Sequence, residues 1–213
     1  SSAASDVYKR QHLRYSRDFA PQFDVIRHQL VLGRDLILRS MSFQISLLAA
    51  AAVAGRFGVA ALAAHQILLQ LWNFLALVLD SLAIAAQTLT GSALGTGDVE
   101  RAKEVGNQTT RFSTGFGVLL AAVFALFAGQ IWSLFTQDPS VHSQLRGPWI
   151  CLVAMIIVGG VVFALDGVLL GASDAAFLRN LTIASVLGVF FPITLMSIAF
   201  GWGLTGIWVG QLA

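Results

Sequence analysis

Several uninterrupted apolar runs, each near the length of a membrane-crossing helix, constrain this chain more than any other feature. A helix crossing the hydrocarbon core needs about 20 apolar residues. Runs of that kind occupy about 35–54, 59–90, 111–131, 148–171 and 180–200, and a shorter one begins at 204 and reaches Ala213. They are continuously apolar rather than alternating, and far longer than the roughly ten residues of a barrel strand. The expected fold class is therefore all-α, a polytopic membrane helix bundle. A soluble helical protein with a large core is the alternative, but its helices would carry a polar face, which most of these runs lack. Composition agrees: 56% of the 213 residues are hydrophobic and 11% are charged, against about 25% charged in soluble domains.

The charges fall between the runs, and their signs give an orientation. Five crossings divide the connections into two sets. One holds Arg14, Arg17, Arg27, Arg34, Arg101, Lys103, Arg111 and Arg179, and the other only Arg56 and Arg146. The excess of basic residues marks the first set as cytoplasmic, so the chain enters the membrane from the cytoplasm at Asp35. The net charge of +2 lies in these connections; it speaks for topology and against nucleic-acid binding. The single cysteine, Cys151, builds neither an intrachain disulfide nor a metal site. Residues 1–11 include Asp6-Val7-Tyr8-Lys9-Arg10-Gln11, which reads as the translated end of a sequencing adaptor. Residues 12–34 read as a cytoplasmic connecting segment, and 35–213 as a transmembrane lobe whose last helix is cut short. Gly91–Thr110, Thr136–Gly147 and Ala172–Arg179 are expected to be loops, and Pro192 to interrupt the fifth span.

Polar groups inside the runs are the candidate functional residues. Gln66, Gln70, Asn73, Asp80 and Gln87 lie at offsets 0, 4, 7, 14 and 21. Seven residues make nearly two helical turns, so these side chains share one stripe. A carboxylate at mid-membrane costs about 2.5–3.5 kcal/mol even on the lenient scale, so Asp80 should face other helices or a water-filled cavity. The stripe either lines that cavity, with Asp80 as an ion or proton site, or holds the bundle together through interhelical hydrogen bonds. Asp166 lies near the cytoplasmic end of the fourth run, directly before Gly167, where a local structural role competes with function. Arg39, a turn inside the first run, can snorkel to the surface or pair with an aspartate. His65 stands beside the stripe, where a structural hydrogen bond is the expected role. Gly91–Asp98 and Gly167–Asp174 both fit the pattern G-x-x-L-G-x-x-D. Glycines four apart permit close helix contact, and the trailing Gly and Asp suit a helix stop followed by a cap. An intramembrane aspartyl protease would need two carboxylates sharing a proton. Asp98 sits among Glu100, Arg101, Lys103 and Glu104, about 27 Å from Asp80 along a helix, so no enzyme is expected.

Taken together, Ala63-Ala64-His65-Gln66-Ile67, Leu79-Asp80, Gly91-Ser92-Ala93-Leu94-Gly95 and Arg101-Ala102 resemble the multidrug and toxic compound extrusion (MATE) family. Asp80 and the run Leu165–Asp174 resemble its DinF-like branch. The resemblance covers about Arg34–Ala213. It implies a twelve-helix antiporter of two six-helix lobes facing a central cavity, with this chain as the C-terminal lobe. Organic cations would leave a bacterial cell through its inner membrane as protons or sodium ions enter, with no cofactor besides that coupling ion. The partners implied are the lipid bilayer, a small cationic substrate and the N-terminal lobe. That lobe carries the first-helix aspartate usually assigned to coupling, a role Asp80 does not inherit. A related flippase for lipid-linked or amphipathic substrates is the alternative.

Overall fold

The computed structural model describes residues 23–213. The adaptor-like residues 1–11 and the first part of the expected connecting segment lie outside the described residues. Helix α1 runs Phe23–Arg56, α2 Val59–Gly95, α3 Val99–Leu126, α4 Ala128–Phe135, α5 Pro139–Gly171 and α6 Ala175–Ser185. A π-helical turn at Val186–Phe190 joins α6 to α7, Phe191–Phe200, and α8 spans Gly203–Leu212. No strand occurs among the described residues. Among those residues five helices are long and apolar enough to cross a membrane, at Gln29–Arg56, Val59–Gly95, Val99–Leu126, Pro139–Gly171 and Ala175–Phe200. The chain is thus an all-helical integral membrane protein, as its apolar runs imply. Residues Leu32–Ala213 form one unit, and the packing below concerns that unit.

The helices are longer than their apolar runs. Gly91–Thr110 is not a loop: only Thr96–Asp98 leave helical geometry, and α3 begins at Val99. Its charged first turns stay helical because they are exposed, with Lys103 Nζ 2.9 Å from Glu100 one turn away. The segment 136–147 is likewise mostly helix. Asp138 caps α5 by accepting from the Ser140 N–H at 2.8 Å, and Pro139 sits in the first turn. The Ser140 hydroxyl and N–H together hold the Asp138 carboxyl below the usual carboxylate range. Pro148, the expected start of that span, lies inside α5. The fifth span is not broken at Pro192 either. The π turn ahead of it supplies the wider hydrogen bonding, Phe191 N–H to the Val186 carbonyl, that a residue lacking its own N–H requires. The third run ends earlier than expected, at Leu126, and a separate short α4 follows.

Packing centres on α5, which touches α2, α3 and α8. Close approach depends on small residues. A Cβ on Gly160 would lie 2.6 Å from the Ser113 carbonyl oxygen, and one on Gly117 2.9 Å from that of Ile156, so α3 crosses α5 antiparallel at backbone contact. On its other side α5 runs parallel to α2: Gly159 meets Leu79, Gly167 meets the Ala83 backbone, and Gly171 meets Gln87. Leu68, Leu75, Leu145, Leu152, Ile156 and Trp208 fill the core between them. Outward-facing positions are apolar as well, including Leu77, Leu126, Leu134 and Ile150. Such a surface suits lipid rather than water.

The repeated pattern has a repeated structure. At the end of α2, the Asp98 N–H donates to the Ala93 carbonyl and the Gly97 N–H to that of Leu94. At the end of α5, Asp174 donates to Leu169 and Ser173 to Leu170. Both are the two-bond C-terminal motif with a left-handed residue at the turn: φ is 78° at Gly97 and 63° at Ser173. Each aspartate then caps the next helix, Asp98 accepting from the Arg101 N–H and Asp174 from that of Phe177. The two copies also touch, Gly91 packing against Gly171.

Candidate functional site

The polar stripe of α2 occupies one face. Gln66, Gln70, Asn73, Asp80 and Gln87 are all exposed, while His65, Leu68, Leu71, Leu75, Leu79, Ala83 and Ala86 are buried on the opposite side. Among the described residues no hydrogen bond or ion pair involves any of the five stripe side chains. The Ser81 and Thr88 hydroxyls on the same helix bond their own backbone. The stripe therefore does not tie α2 to its neighbours through side-chain hydrogen bonds among the described residues. It presents four amides and a carboxylate outward from an otherwise apolar helix.

Asp166 flanks the α2–α5 contact at Gly167, and Arg39 reaches it from α1. Arg39 Nη2 pairs with Asp166 Oδ2, linking α1 to α5. Both side chains are largely buried, at 16% and 20% exposure, so Arg39 does not snorkel to the surface. Its guanidinium also lies over the Phe43 ring, 5.6 Å from the centroid. Asp166 precedes Gly167, which packs on the Ala83 backbone one turn from Asp80. The two aspartates thus stand at one level of the α2–α5 crossing.

His65 is not part of this group. It is 1% exposed and faces the core, where its ring meets the edge of Trp208 at a centroid distance of 5.9 Å. The structural hydrogen bond expected of it is not formed: among the described residues neither ring nitrogen has a partner. Packing, not hydrogen bonding, is its observed role. Gln66, one position on, is rotated by about 100° and points outward.

A second ion pair escaped the sequence reading. Asp35 is 3% exposed and pairs with Arg179 of α6, while Arg34 Nη2 approaches the same carboxylate at 2.8 Å. Asp35 reads in sequence as the boundary of a span and Arg179 as a topology marker. The available signal was the four-residue spacing of Asp35 and Arg39, which puts both on one face of α1. In the structure that face is fastened to α5 and α6 by opposite charges.

Fold and polar face together define a polytopic helical membrane protein with one exposed polar face on α2. The MatE family profile matches residues 36–204, and the chain belongs to this family. It is 33% identical over 178 residues to Protein DETOXIFICATION 45, chloroplastic, of Arabidopsis thaliana, covering 84% of this chain and 31% of that protein. It is 29% identical over 172 residues to DNA damage-inducible protein F of Escherichia coli strain K12, covering 81% and 37%. A solved structure of MATE in complex with MaL6 superposes with a TM-score of 0.80 at 21% identity, over 92% of this chain and 45% of that one. The chain thus spans about a third of the length of these two curated relatives. The family and the DinF resemblance read from the sequence motifs agree with these matches.

Proposed function

We propose that this chain forms the C-terminal lobe of a two-lobe antiporter in the bacterial inner membrane, exporting organic cations in exchange for protons or sodium ions. One observation carries the reading: the only carboxylate in the α2 stripe, Asp80, is exposed on a face of four amides that makes no side-chain hydrogen bond to the described lobe. A carboxylate and four amides turned toward lipid would be costly. Turned toward a second lobe across a wet cavity, they become one wall of a cation site. The amides offer carbonyl oxygens to a cation, and Asp80 offers a full negative charge. A proton and an organic cation cannot both neutralise one carboxylate, so the two compete at Asp80, separately from the coupling aspartate expected in the N-terminal lobe. Alternating exposure of the cavity to the two membrane sides completes the exchange.

The relatives lend support through their names, which for Brucella suis read probable multidrug resistance protein NorM. The test is Asp80→Asn in the full-length protein, with drug efflux followed in everted vesicles across a range of pH. Efflux should fall at least about tenfold, consistent with loss of a charge–charge contact, and its pH dependence should flatten. Unchanged efflux with an unchanged pH profile would sink the reading.

A further inference from the structure

We infer that Arg39 is a specificity-determining residue that sets the charge of the cation site at one net negative, so that the site takes monocations and rejects dications. The inference rests on the cation-site reading above and deepens it. Three ionisable side chains lie around the α2–α5 contact at Gly167: Asp80, one turn from Ala83 on α2, Asp166 of α5, and Arg39 of α1, which is paired with Asp166. Arg39 is committed to Asp166 Oδ2, whereas Asp80 has no ion-pair partner among the described residues. The guanidinium thus cancels one carboxylate and leaves the other as the single unpaired charge of this face among the described residues.

The geometry makes this cancellation local and fixed. Gly167 seats the α5 backbone directly on Ala83, which holds the Asp166 and Asp80 backbones at one level. Arg39 is held from the other side. Its guanidinium rests on Phe43, and Asp35, one turn earlier on α1, is bound to Arg179 of α6. Asp35 therefore offers its charge to Arg179 and Arg34, leaving Arg39 to Asp166. A planar guanidinium cannot shed its charge at any physiological pH, so the cancellation persists through the transport cycle as long as the pair holds. A monocation entering the face meets one uncompensated carboxylate and is neutralised. A compact dication meets the same single charge and keeps an unpaired positive charge beside Arg39, which repels it.

Opposite outcomes follow for the two halves of the pair. Without the arginine, the site carries two carboxylates and should favour a dication. Without Asp166, the arginine is uncompensated, the site is neutral overall and monocation binding should weaken. A role confined to holding helices together would shift both probes alike. The experiment measures binding of tetraphenylphosphonium and of methyl viologen to the full-length protein in nanodiscs, for wild type, Arg39→Gln, Arg39→Lys, Asp166→Asn, Asp80→Asn and the Arg39→Gln/Asp166→Asn double variant. Monodispersity serves as the folding control. Arg39→Gln should move the affinity ratio toward methyl viologen by about tenfold or more. Arg39→Lys and the double variant should keep the wild-type ratio, and Asp166→Asn should weaken tetraphenylphosphonium by about tenfold. If Arg39→Gln does not fold, the Asp166→Asn arm decides: undiminished tetraphenylphosphonium binding overturns the inference. An unchanged ratio in folded Arg39→Gln also overturns it, while sensitivity to Asp80→Asn would leave the cation site standing. Absence of tetraphenylphosphonium binding in wild type, or indifference to Asp80→Asn, removes the site itself and this inference with it.

Discussion

Adjacent residues on α2 show how narrowly a helix assigns fate. His65 and Gln66 are both polar and both interrupt an apolar run, yet a rotation of about 100° sends one into the core and the other to the open face. In the core, His65 meets Trp208 edge-on and finds no hydrogen-bond partner among the described residues. A buried polar atom without a partner costs free energy, whereas an apolar ring of similar shape costs nothing of that kind. His65→Phe should therefore leave thermal stability within about 1 kcal/mol of wild type or raise it. His65→Ala should lose about 2–4 kcal/mol through the void left against Trp208. Thermal melts in detergent, read by intrinsic fluorescence, distinguish the two; a large loss in His65→Phe would show that the imidazole nitrogens matter. The sequence could place the stripe because its spacing is regular, and all five members share the exposed face. It could not decide the partner of Arg39, since snorkelling and pairing both satisfy a lone arginine near a helix end. That choice depended on where α5 places Asp166 relative to α1.

Elements were legible by number, and less so by length. Apolar runs count crossings well because lipid demands them, but a helix continues past the bilayer wherever its polar turns meet water. Exposed Glu100 and Lys103 on α3 are that case, and reading polarity as loop cost the sequence analysis several turns at α3 and α5. The G-x-x-L-G-x-x-D repeat was better read, because each of its parts has a physical duty. Its glycines nevertheless differ. A Cβ on Gly167, the first glycine of its copy, would overlap the Ala83 backbone, while Gly95, the second glycine of the other copy, has nothing within 4 Å of where its Cβ would lie. Backbone cannot yield as a flexible side chain can, so Gly167→Ala should destabilise by about 1–3 kcal/mol or more through overpacking of the α2–α5 crossing. Gly95→Ala, in the last turn of α2, should be neutral or stabilise by about 0.5–1 kcal/mol. Comparing unfolding midpoints of the two variants checks this; equal effects would show that the crossing relaxes freely.

At the scale of the whole molecule, the arrangement is one-sided. The α2–α5 and α3–α5 crossings are sealed at backbone contact, and the lipid-like outer surface is apolar. The α2 stripe faces neither of these interiors. Five polar side chains spread over six turns form a wall, and a wall by itself encloses nothing. Transport by alternating access requires a cavity that is open to one side of the membrane and closed to the other, so two walls must move relative to each other. On the proposed reading this chain supplies helices for one of them, and the curated relatives are about three times its matched length. Proteoliposomes containing only these 213 residues should therefore show no gradient-driven uptake of tetraphenylphosphonium above protein-free liposomes. Co-reconstitution with an N-terminal lobe should be needed to restore it. Saturable uptake by this chain alone would mean that the stripe finds its opposing wall in a second copy of itself, and the polar face would then mark a homodimeric cavity instead of a two-lobe one.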